Sequence, residues 1–197
     1  MKNCLVLHST LTPFPITPYP SMNHRKLSTT ELNRLSAEEF RAREKFPIII
    51  VLDNVRSGLN VGSIFRSADA FNVEKIICCG ITPTPPNREV LKSALGSTET
   101  VEWEYEGSAL VAVQSMRADG IICYAIEQAE NSVMLHDFQR KAGVHYAFVL
   151  GNEVDGVEQR VIDACDGAIE IAQYGTKHSL NVAVCAGLVM HEVLIVS

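Results

Sequence analysis

The sequence predicts an α/β protein with a mostly parallel sheet flanked by helices. Short apolar runs, rich in β-branched residues, alternate with segments of helical periodicity, beginning with the run 47–54 and the segment 60–71. The strand-like runs are apolar throughout, which is typical of strands with both faces covered by helices. The last segment, 179–196, has helical character and is apolar nearly all round. We therefore expect most of it to lie in a core or in a subunit interface.

The individual elements follow from the same patterns. Residues 29–45 favour one or two short helices, because Ser36 and Glu39 have the spacing of a capping box. Gly96 is the expected C-terminal cap of its helix. The predicted strands are 47–54, 75–80, 100–106, 121–127, 146–151 and 167–172. The predicted helices between and after them are 60–71, 87–96, 107–120, 157–166 and 179–196.

The chain divides into three parts that differ in composition and periodicity. Residues 1–21 contain four prolines and no periodicity, so we predict a disordered leader, or a translation start at Met22 that excludes it. Residues 22–46 form a short basic helical arm, and residues 47–197 form the α/β domain. Lys and Arg exceed Glu in residues 1–45, whereas the rest of the chain is net −9. An acidic body argues against broad, non-specific nucleic-acid binding, while a basic arm permits a focused contact or is merely a solvated helix.

Composition and cysteine spacing exclude several classes of protein. No segment is long and apolar enough to span a bilayer, and the N-terminus lacks the cleavage site of a signal peptide. The six cysteines include no CxxC pair, so we expect no metal site. Cysteines within apolar runs are expected to be buried in a reducing compartment, and they are Cys78, Cys79, Cys123 and Cys185. The expected location is the cytoplasm.

Three polar clusters follow predicted strands. The first contains Asn60 and Arg66, the second contains Glu153 in a turn bracketed by glycines, and the third contains Ser179 and Asn181. Ligands of open parallel sheets bind at the carboxyl ends of the strands, so the three clusters are expected to converge there. The chain has neither a P-loop nor a GxGxxG motif. Each cluster also has a plain structural interpretation, since Asn60 and Ser179 both suit helix N-caps and glycine-rich acidic turns are common.

Together, the three clusters resemble the motifs of the SpoU (TrmH-like) branch of the SPOUT RNA methyltransferases. Asn60 and Arg66 in "NVGSIFR" match the family's N-x(5)-R motif. The stretch "LGNEVDG" matches its lGnE-x-x-G motif, and "SLNVAV" matches its SLN-V motif. The resemblance runs from about Pro47 to Val193 with the motifs in the family's order. The ordered set is much more specific than any one motif.

The resemblance implies a C-terminal deep trefoil knot, which sequence patterns would not suggest because knots are nearly absent from proteins. It also implies S-adenosylmethionine held by the knot loops, and a homodimer with the site close to the subunit interface. The residues that it assigns to the cofactor, largely through backbone groups, are Leu150, Gly151, Asn152, Gly156, Ile171 and Leu180. The residues that it assigns to catalysis are Arg66, Asn60, Glu153, Ser179 and Asn181.

The implied reaction is methyl transfer from S-adenosylmethionine to a ribose 2′-hydroxyl of tRNA or rRNA. The family assigns proton acceptance to the arginine that matches Arg66. Because a guanidinium is effectively always protonated, a bidentate clamp on an RNA phosphate is the alternative role. The remaining four candidates would orient Arg66 and the ribose. His178 and His191 match no catalytic position and are left out.

RNA recognition is less defined by the sequence. Many relatives carry an extra N-terminal RNA-binding domain, whereas in this chain only the arm of about 25 residues, 22–46, lies between the predicted leader and the α/β domain. RNA contact is therefore expected from the dimer surface, from a partner protein, or from the basic residues of the arm, Arg25, Lys26, Arg34, Arg41 and Arg43. Two other functions remain open: a catalytically inactive RNA-binding protein of this fold, and a doubly wound nucleotide-binding or hydrolase domain. The intact motif residues argue against the first, and the missing phosphate loop argues against the second.

Overall fold

The computed structural model of the protein describes residues 24–28 and 30–196, so the predicted leader 1–21 lies outside the described residues. The chain divides into two compact units, Met1–Arg34 and Leu35–Ser197. The first unit contributes one short 3-10 helix to the described residues. The second unit contains the sheet and the α-helices. None of the helices in the described ranges is long and apolar enough to cross a membrane.

The described part of the first unit is organised around Glu31. The guanidinium of Arg25 donates two hydrogen bonds to the Glu31 carboxylate, at 2.6 and 3.1 Å. Ser28 donates its backbone N–H and its hydroxyl to the same carboxylate, at 2.8 and 2.7 Å. These bonds, led by that from Arg25, lower the pKa of Glu31 to about 2. Glu31 lies in the 3-10 helix Thr30–Leu32, so the ion pair closes a local turn.

Seven strands form one sheet in the second unit. They are β1 Phe46–Asp53, β2 Val73–Cys79, β3 Glu102–Glu106, β4 Ile122–Ile126, β5 Val133–Met134, β6 Tyr146–Leu150 and β7 Gly167–Glu170. Their order is β3-β2-β1-β6-β4-β7-β5, and every neighbouring pair is parallel. Leu150 of β6 is level with Leu52 of β1 and with Ile126 of β4. The prediction of a mostly parallel sheet is confirmed, although β5, with two residues, is too short to show a strand pattern.

Six α-helices lie among the described residues: α1 Ala37–Ala42, α2 Gly58–Ala70, α3 Arg88–Ala94, α4 Ala109–Ala118, α5 Gln159–Ala164 and α6 Val182–His191. Three-residue 3-10 helices at Ser97–Glu99 and Leu135–Asp137 and a π-helical turn at Glu192–Val196 complete the unit. The predicted capping box of α1 is confirmed. Ser36 Oγ accepts the N–H of Glu39 at 3.2 Å, and the Glu39 carboxylate accepts the N–H of Ser36 at 2.8 Å.

Helices cover both faces of the sheet. On β1, Ile48, Ile50 and Leu52 belong to the buried cluster formed with α2, α3 and α6. The alternate residues Ile49 and Val51 belong to the cluster formed with α4 and α5. All five side chains are at most 4% exposed. Burying one such side chain contributes about 1.5–3 kcal/mol, which explains why the strand is apolar at successive positions instead of alternating.

The start of α2 differs from the sequence prediction. The N-cap is Ser57, whose Oγ accepts the N–H of Asn60 at 3.3 Å. Asn60 therefore lies inside the first turn and is not the cap, so its side chain is available for contacts outside the helix. Arg66 consequently lies in the third turn instead of the second. Serine and asparagine are both good caps, so residue type alone does not distinguish the two positions.

The start of α6 also differs from the sequence prediction, both in its N-cap residue and in its first helical residue. Asn181 is the N-cap, and its Oδ1 accepts the N–H of Ala183 at 2.9 Å. Ser179 lies two residues before the cap and makes no hydrogen bond within the described residues. The interpretation of Ser179 as the cap is therefore wrong. The helix begins at Val182, later than the predicted start at 179, because Ser179 and Leu180 belong to the preceding loop.

Candidate functional site

A cavity of about 510 Å³ opens at the carboxyl ends of β4, β6 and β7. It is formed by the residues that follow β4, by the loop 151–157 after β6, and by the loop 171–181 between β7 and α6. Its lining residues are Ile126, Glu127, Gln128, Leu150, Gly151, Asn152, Glu153, Val154, Asp155, Gly156, Ile171, Gln173, His178, Ser179, Leu180, Asn181, Val182 and Cys185. Its size suits a small molecule, and its position is where parallel sheets bind ligands.

The structure places most of the candidate site residues along this cavity. All six cofactor candidates line it: Leu150, Gly151, Asn152, Gly156, Ile171 and Leu180. Three catalytic candidates, Glu153, Ser179 and Asn181, line it as well. The other two, Asn60 and Arg66, lie on α2 and are not part of the lining. Residues that are far apart in the sequence therefore meet at one edge of the sheet, as expected.

The loop 151–157 is a tight turn held by its own polar groups. Asn152 and Gly156 exchange backbone hydrogen bonds, each 3.1 Å long. The side chain of Asn152 accepts the N–H groups of Val154 and Asp155 at 3.0 and 2.9 Å. An asparagine that caps the following N–H groups in this way forms an Asx-turn. The loop therefore has a defined shape of its own against the cavity.

Two glycines permit the close contacts within this loop. A Cβ atom on Gly151 would lie 1.9 Å from the carbonyl carbon of Gly156. A Cβ atom on Gly156 would lie 2.1 Å from Oε2 of Glu127, and Gly156 has a φ of +69°. Oε2 of Glu127 also accepts the N–H of Val157 at 3.0 Å. The glycines are therefore required by the packing of the loop against itself and against Glu127.

Glu153 links the loop to the start of α2. Its carboxylate accepts the backbone N–H groups of Arg56 and Ser57, at 3.1 and 3.2 Å, and the side-chain amide of Asn60, at 2.8 Å. Oδ1 of Asn60 accepts the side-chain amide of Asn181 at 3.1 Å. This network, Glu153–Asn60–Asn181, joins the three segments that carry the polar clusters. A negative carboxylate at the N-terminus of a helix is also favoured by the helix dipole.

The hydrogen bonds around Glu153 decide its protonation. Partial burial raises the pKa of Glu153, but the hydrogen bonds from Arg56, Asn60 and Ser57 together outweigh it, so the pKa is lowered overall. The carboxylate is therefore ionised at neutral pH. Its lone pairs are engaged by three donors, so Glu153 acts as a fixed acceptor that holds α2 in place.

Arg66 lies outside this network. It lies six positions after Asn60, which places it about 9 Å further along α2 and on a different side of the helix. Its side chain is exposed, and it makes no hydrogen bond or ion pair within the described residues. The structure therefore does not bring Asn60, Glu153 or Asn181 into contact with Arg66. The guanidinium remains available to a ligand or to another chain.

Asp53 holds the far end of the loop. It is the last residue of β1 and is 2% exposed. Its carboxylate accepts the N–H of Glu158 at 3.1 Å and the side-chain amide of Asn54 at 2.8 Å. Burial raises the pKa of Asp53. Glu127 anchors the last residue of the loop, Val157, and Asp53 anchors the residue directly after it, Glu158.

Several lining residues were not among the candidates from the sequence. They are Ile126, Glu127, Gln128, Val154, Asp155, Gln173, His178, Val182 and Cys185. Glu127 and Gln128 directly follow β4, at the same edge of the sheet as the other clusters. This acid and this amide were the sequence signal that could have identified the stretch as part of the site. Gln128 donates its side-chain amide to the carbonyl of His178 at 3.2 Å, which connects this stretch to the loop 171–181.

The five cysteines among the described residues are free thiols. Cys78, Cys79 and Cys123 are buried, whereas Cys165 is partly buried. Cys185 is also only partly buried and lines the cavity, so the prediction of a buried residue is wrong for it. The described residues hold no group of three or more His, Cys, Asp or Glu side chains that could bind a metal ion.

The cavity lining carries negative charge. It contains the carboxylates of Glu127, Glu153 and Asp155, and the described lining contains no lysine or arginine. Asp155 is 3.7 Å from the Arg56 guanidinium, an exposed pair that offsets little of this charge. Apolar side chains, including Leu150 and Ile171, form part of the remaining lining. The site therefore favours a ligand that combines an apolar body with positive charge.

The basic residues of the arm fall in both units. Arg25, Lys26 and Arg34 belong to the first unit, and Arg41 and Arg43 belong to the second. Arg25 is paired with Glu31, and Arg41 donates to the carbonyl of Glu99 at 2.9 Å. The side chains of Lys26, Arg34 and Arg43 are exposed and make no ion pair among the described residues. These three cations are therefore the ones available for another molecule.

The fold and the site define an α/β protein with a cavity at the carboxyl ends of its parallel strands, beside a polar network that joins three segments. The chain belongs to the SpoU rRNA Methylase family, whose sequence profile matches residues 47–191. The match begins at the second residue of β1 and ends at the last residue of α6. It therefore contains every residue of the cavity lining.

Comparison with known proteins agrees with this assignment. The 23S rRNA (guanosine-2'-O-)-methyltransferase RlmB of Vibrio parahaemolyticus is 31% identical over 82% of this chain and 64% of its own length. The crystal structure of the A. aeolicus TrmH/SpoU tRNA modifying enzyme superposes with a TM-score of 0.69 at 25% identity, over 79% of this chain and 77% of that one. The AdoMet-bound rRNA methyltransferase from Sinorhizobium meliloti gives 0.70 at 26%, over 78% and 58%. The chain spans less than two thirds of the RlmB relative.

Proposed function

We propose that the protein is an S-adenosylmethionine-dependent methyltransferase that methylates a ribose 2′-hydroxyl in rRNA or tRNA. The observation that carries this proposal is the acidic cavity, which is built from segments carrying the family's motifs. The RlmB relative is named for 2′-O-methylation of 23S rRNA, and the S. meliloti relative was crystallised with AdoMet. Both properties belong to those proteins, and the cavity of this chain is suited to the same chemistry.

The cavity has the chemistry that S-adenosylmethionine requires. The apolar side chains of Leu150, Ile171 and Leu180 suit the adenine ring. The carboxylates of Glu127 and Asp155 suit the positive charges of a sulfonium and an ammonium group. The bound cofactor supplies an electrophilic methyl group. The chain itself has to align the ribose hydroxyl with that group and exclude competing water.

We assign positioning roles to Glu153, Asn60 and Asn181, because their hydrogen bonds fix α2 against the two cavity loops. The lowered pKa of Glu153 makes it a weak base, and three donors already occupy it, so it is not the proton acceptor. Ser179 lines the cavity and makes no hydrogen bond within the described residues, so its hydroxyl is available to the ribose. Arg66, whose guanidinium has no partner within the described chain, holds a phosphate of the substrate by a bidentate contact.

A homodimer through α6 is part of the proposal. Val184 and Leu188 lie one turn apart on α6 and are 50% and 42% exposed, and Leu180 just before the helix is 39% exposed. Exposed apolar side chains at this spacing form a stripe that a second copy would cover. Leu180 also lines the cavity, and α6 packs against α2, which carries Arg66. A dimer through this stripe would therefore lie next to the site.

We further propose that the C-terminal part is knotted, as the family resemblance implies. Along the sheet, β6 lies between β1 and β4, and β7 lies beyond β4, yet α6 returns to pack against α2. Leu135 and Phe138, from the segment between β4 and β6, belong to the same buried cluster as α6. A C-terminal helix that packs beside the segment between β4 and β6 in this way is compatible with a trefoil knot.

RNA contact through the arm is proposed for Lys26, Arg34 and Arg43 in particular, because Arg25 and Arg41 already have partners. The rest of the chain is acidic, so the approach of RNA depends on such local cations. Cellular rRNA and tRNA as substrates would place the enzyme in the cytoplasm. A catalytically inactive RNA-binding protein of the same fold is the second candidate function.

Two measurements on the full chain test the proposal. Calorimetric titration should show binding of S-adenosylmethionine and none of ATP, since the cavity is acidic and no phosphate loop is present. Transfer of labelled methyl from S-adenosylmethionine to rRNA or tRNA should then be detected. Binding of the cofactor and of RNA without any transfer would establish the inactive alternative, and binding of ATP alone would refute the family assignment of the site.

A further inference from the structure

Tyr174 has an unusual position beside the cavity. It lies in the loop 171–181, between Gln173 and His178, both of which line the cavity. Its side chain is 97% exposed. By contrast, Tyr146 is 3% exposed and packs against Phe148 in the core. An aromatic ring that contributes nothing to the core, placed at the rim of a ligand cavity, has its whole surface available to a ligand.

The residues around Tyr174 also make few contacts with the rest of the described chain. Within the described chain, residues 172–177 make no hydrogen bond, so their polar groups remain available. Gly175 follows the tyrosine and has no heavy atom within 4 Å of the position of a Cβ. Lys177 is exposed and has no ion pair in the part of the chain that the structure describes. The exposed ring of Tyr174 and the exposed ammonium group of Lys177 thus lie three positions apart in the sequence.

We propose that Tyr174 stacks on an unpaired nucleobase of the RNA substrate, while Lys177 contacts an adjoining phosphate. This inference rests on the proposed function. Unpaired bases stack readily on aromatic side chains, and a nearby cation attracts the backbone that carries them. In a duplex, both faces of a base are already stacked, so such a platform selects single-stranded or looped RNA. Tyr174 is then a positioning residue that holds the nucleotide at the mouth of the cofactor cavity.

The test compares Tyr174→Ala with Tyr174→Phe in the full chain. Phenylalanine retains the ring, whereas alanine removes it. Tyr105→Ala is the matched control, because Tyr105 is 57% exposed on the edge strand β3, away from the cavity. The measurements are the Kd for a short single-stranded RNA and for its duplex, the Kd for S-adenosylmethionine, the rate of methyl transfer to cellular RNA, and the mass in solution.

We expect Tyr174→Ala to weaken binding of the single strand by about tenfold or more, as loss of one base–aromatic stack does. The phenylalanine and Tyr105 variants should bind it as the wild type does, and duplex binding and cofactor Kd should not change. A single-strand Kd that is unaltered in Tyr174→Ala overturns the inference, as does a change from dimer to monomer in that variant. If the wild type itself neither binds RNA nor transfers methyl groups, both the proposed function and this inference are refuted.

Discussion

At the scale of single residues, the shape of the loop 151–157 depends on Gly156. The residue has a φ of +69°, and a Cβ would lie 2.1 Å from the Glu127 carboxylate. Gly156→Ala should therefore distort the loop and weaken S-adenosylmethionine binding by about tenfold, since left-handed strain alone costs about 1–2 kcal/mol. Calorimetric titration measures this change. Gly107→Ala, at a position with open space and no positive φ, is the control and should bind normally.

Glu153 gives a pH-dependent prediction at the same scale. Its pKa is lowered from 4.5 in the folded protein, so its contribution to stability is present above that value and is lost as the pH falls through the folded pKa. Glu153→Gln should lower the free energy of unfolding at neutral pH by about 1 kcal/mol, because it loses part of a charged hydrogen-bond network. Urea denaturation at neutral and acidic pH should show this difference shrinking in acid.

The neighbouring acid provides the control for Glu153. Asp155 makes only an exposed ion pair with Arg56, at 3.7 Å, and such pairs contribute little. Asp155→Asn should therefore leave the unfolding free energy nearly unchanged at either pH. An equal loss in the two variants would mean that the charge of the loop matters and that the bonds of Glu153 to α2 do not.

The sequence predicted the cavity residues better than their roles. Gly151 and Gly156 were found because glycine bracketing a polar turn is a visible pattern. Glu127 and Asp53 were missed, because an acid at the end of a strand is unremarkable until the fold brings it to another loop. Asn60 was interpreted as a possible cap, since only tertiary structure shows that its amide contacts Glu153.

At the scale of elements, α6 carries the prediction of a dimer. Val184 is half exposed on α6, so Val184→Glu places a charge on the stripe without entering the core. We expect the wild type to be a dimer and this variant to be largely monomeric, because a buried charge without a partner disfavours the interface. Val111→Glu is the control, since Val111 is 51% exposed on α4, which belongs to the other helical layer. A monomeric wild type in light scattering would refute the proposed interface.

The strands and helices illustrate what local pattern can decide. The strand over β1 and the helix over α4 were evident because their apolar spacing is sustained over several residues. The strand β5 has two residues and pairs only with β7, so no local pattern marks it. The starts of α2 and α6 were misplaced because several good caps precede each helix, and the choice depends on tertiary contacts.

At the scale of the whole molecule, parallel strand pairing brings three distant segments to one edge. The order of the strands places β6 between β1 and β4, so the loop 151–157 lies between the start of α2 and the residues that follow β4. The network from Glu153 through Asn60 to Asn181 then connects the cavity loops to the helix that bears Arg66. The three segments are far apart in the sequence, so no single residue shows that they are neighbours in the fold. The ordered set of motifs therefore indicated the site better than any one residue did.

The most direct test of the central claim is nucleoside mass spectrometry of rRNA and tRNA incubated with S-adenosylmethionine and the full chain. We predict new 2′-O-methylated nucleosides with the wild type. With Arg66→Ala, their rate of formation should fall by about two orders of magnitude while cofactor binding is retained, since Arg66 lies outside the cavity. Arg66→Lys should resemble the alanine variant, because lysine lacks the planar two-pronged contact. Absence of methylated ribose with a folded, cofactor-binding wild type, or full activity in Arg66→Ala, would contradict the account.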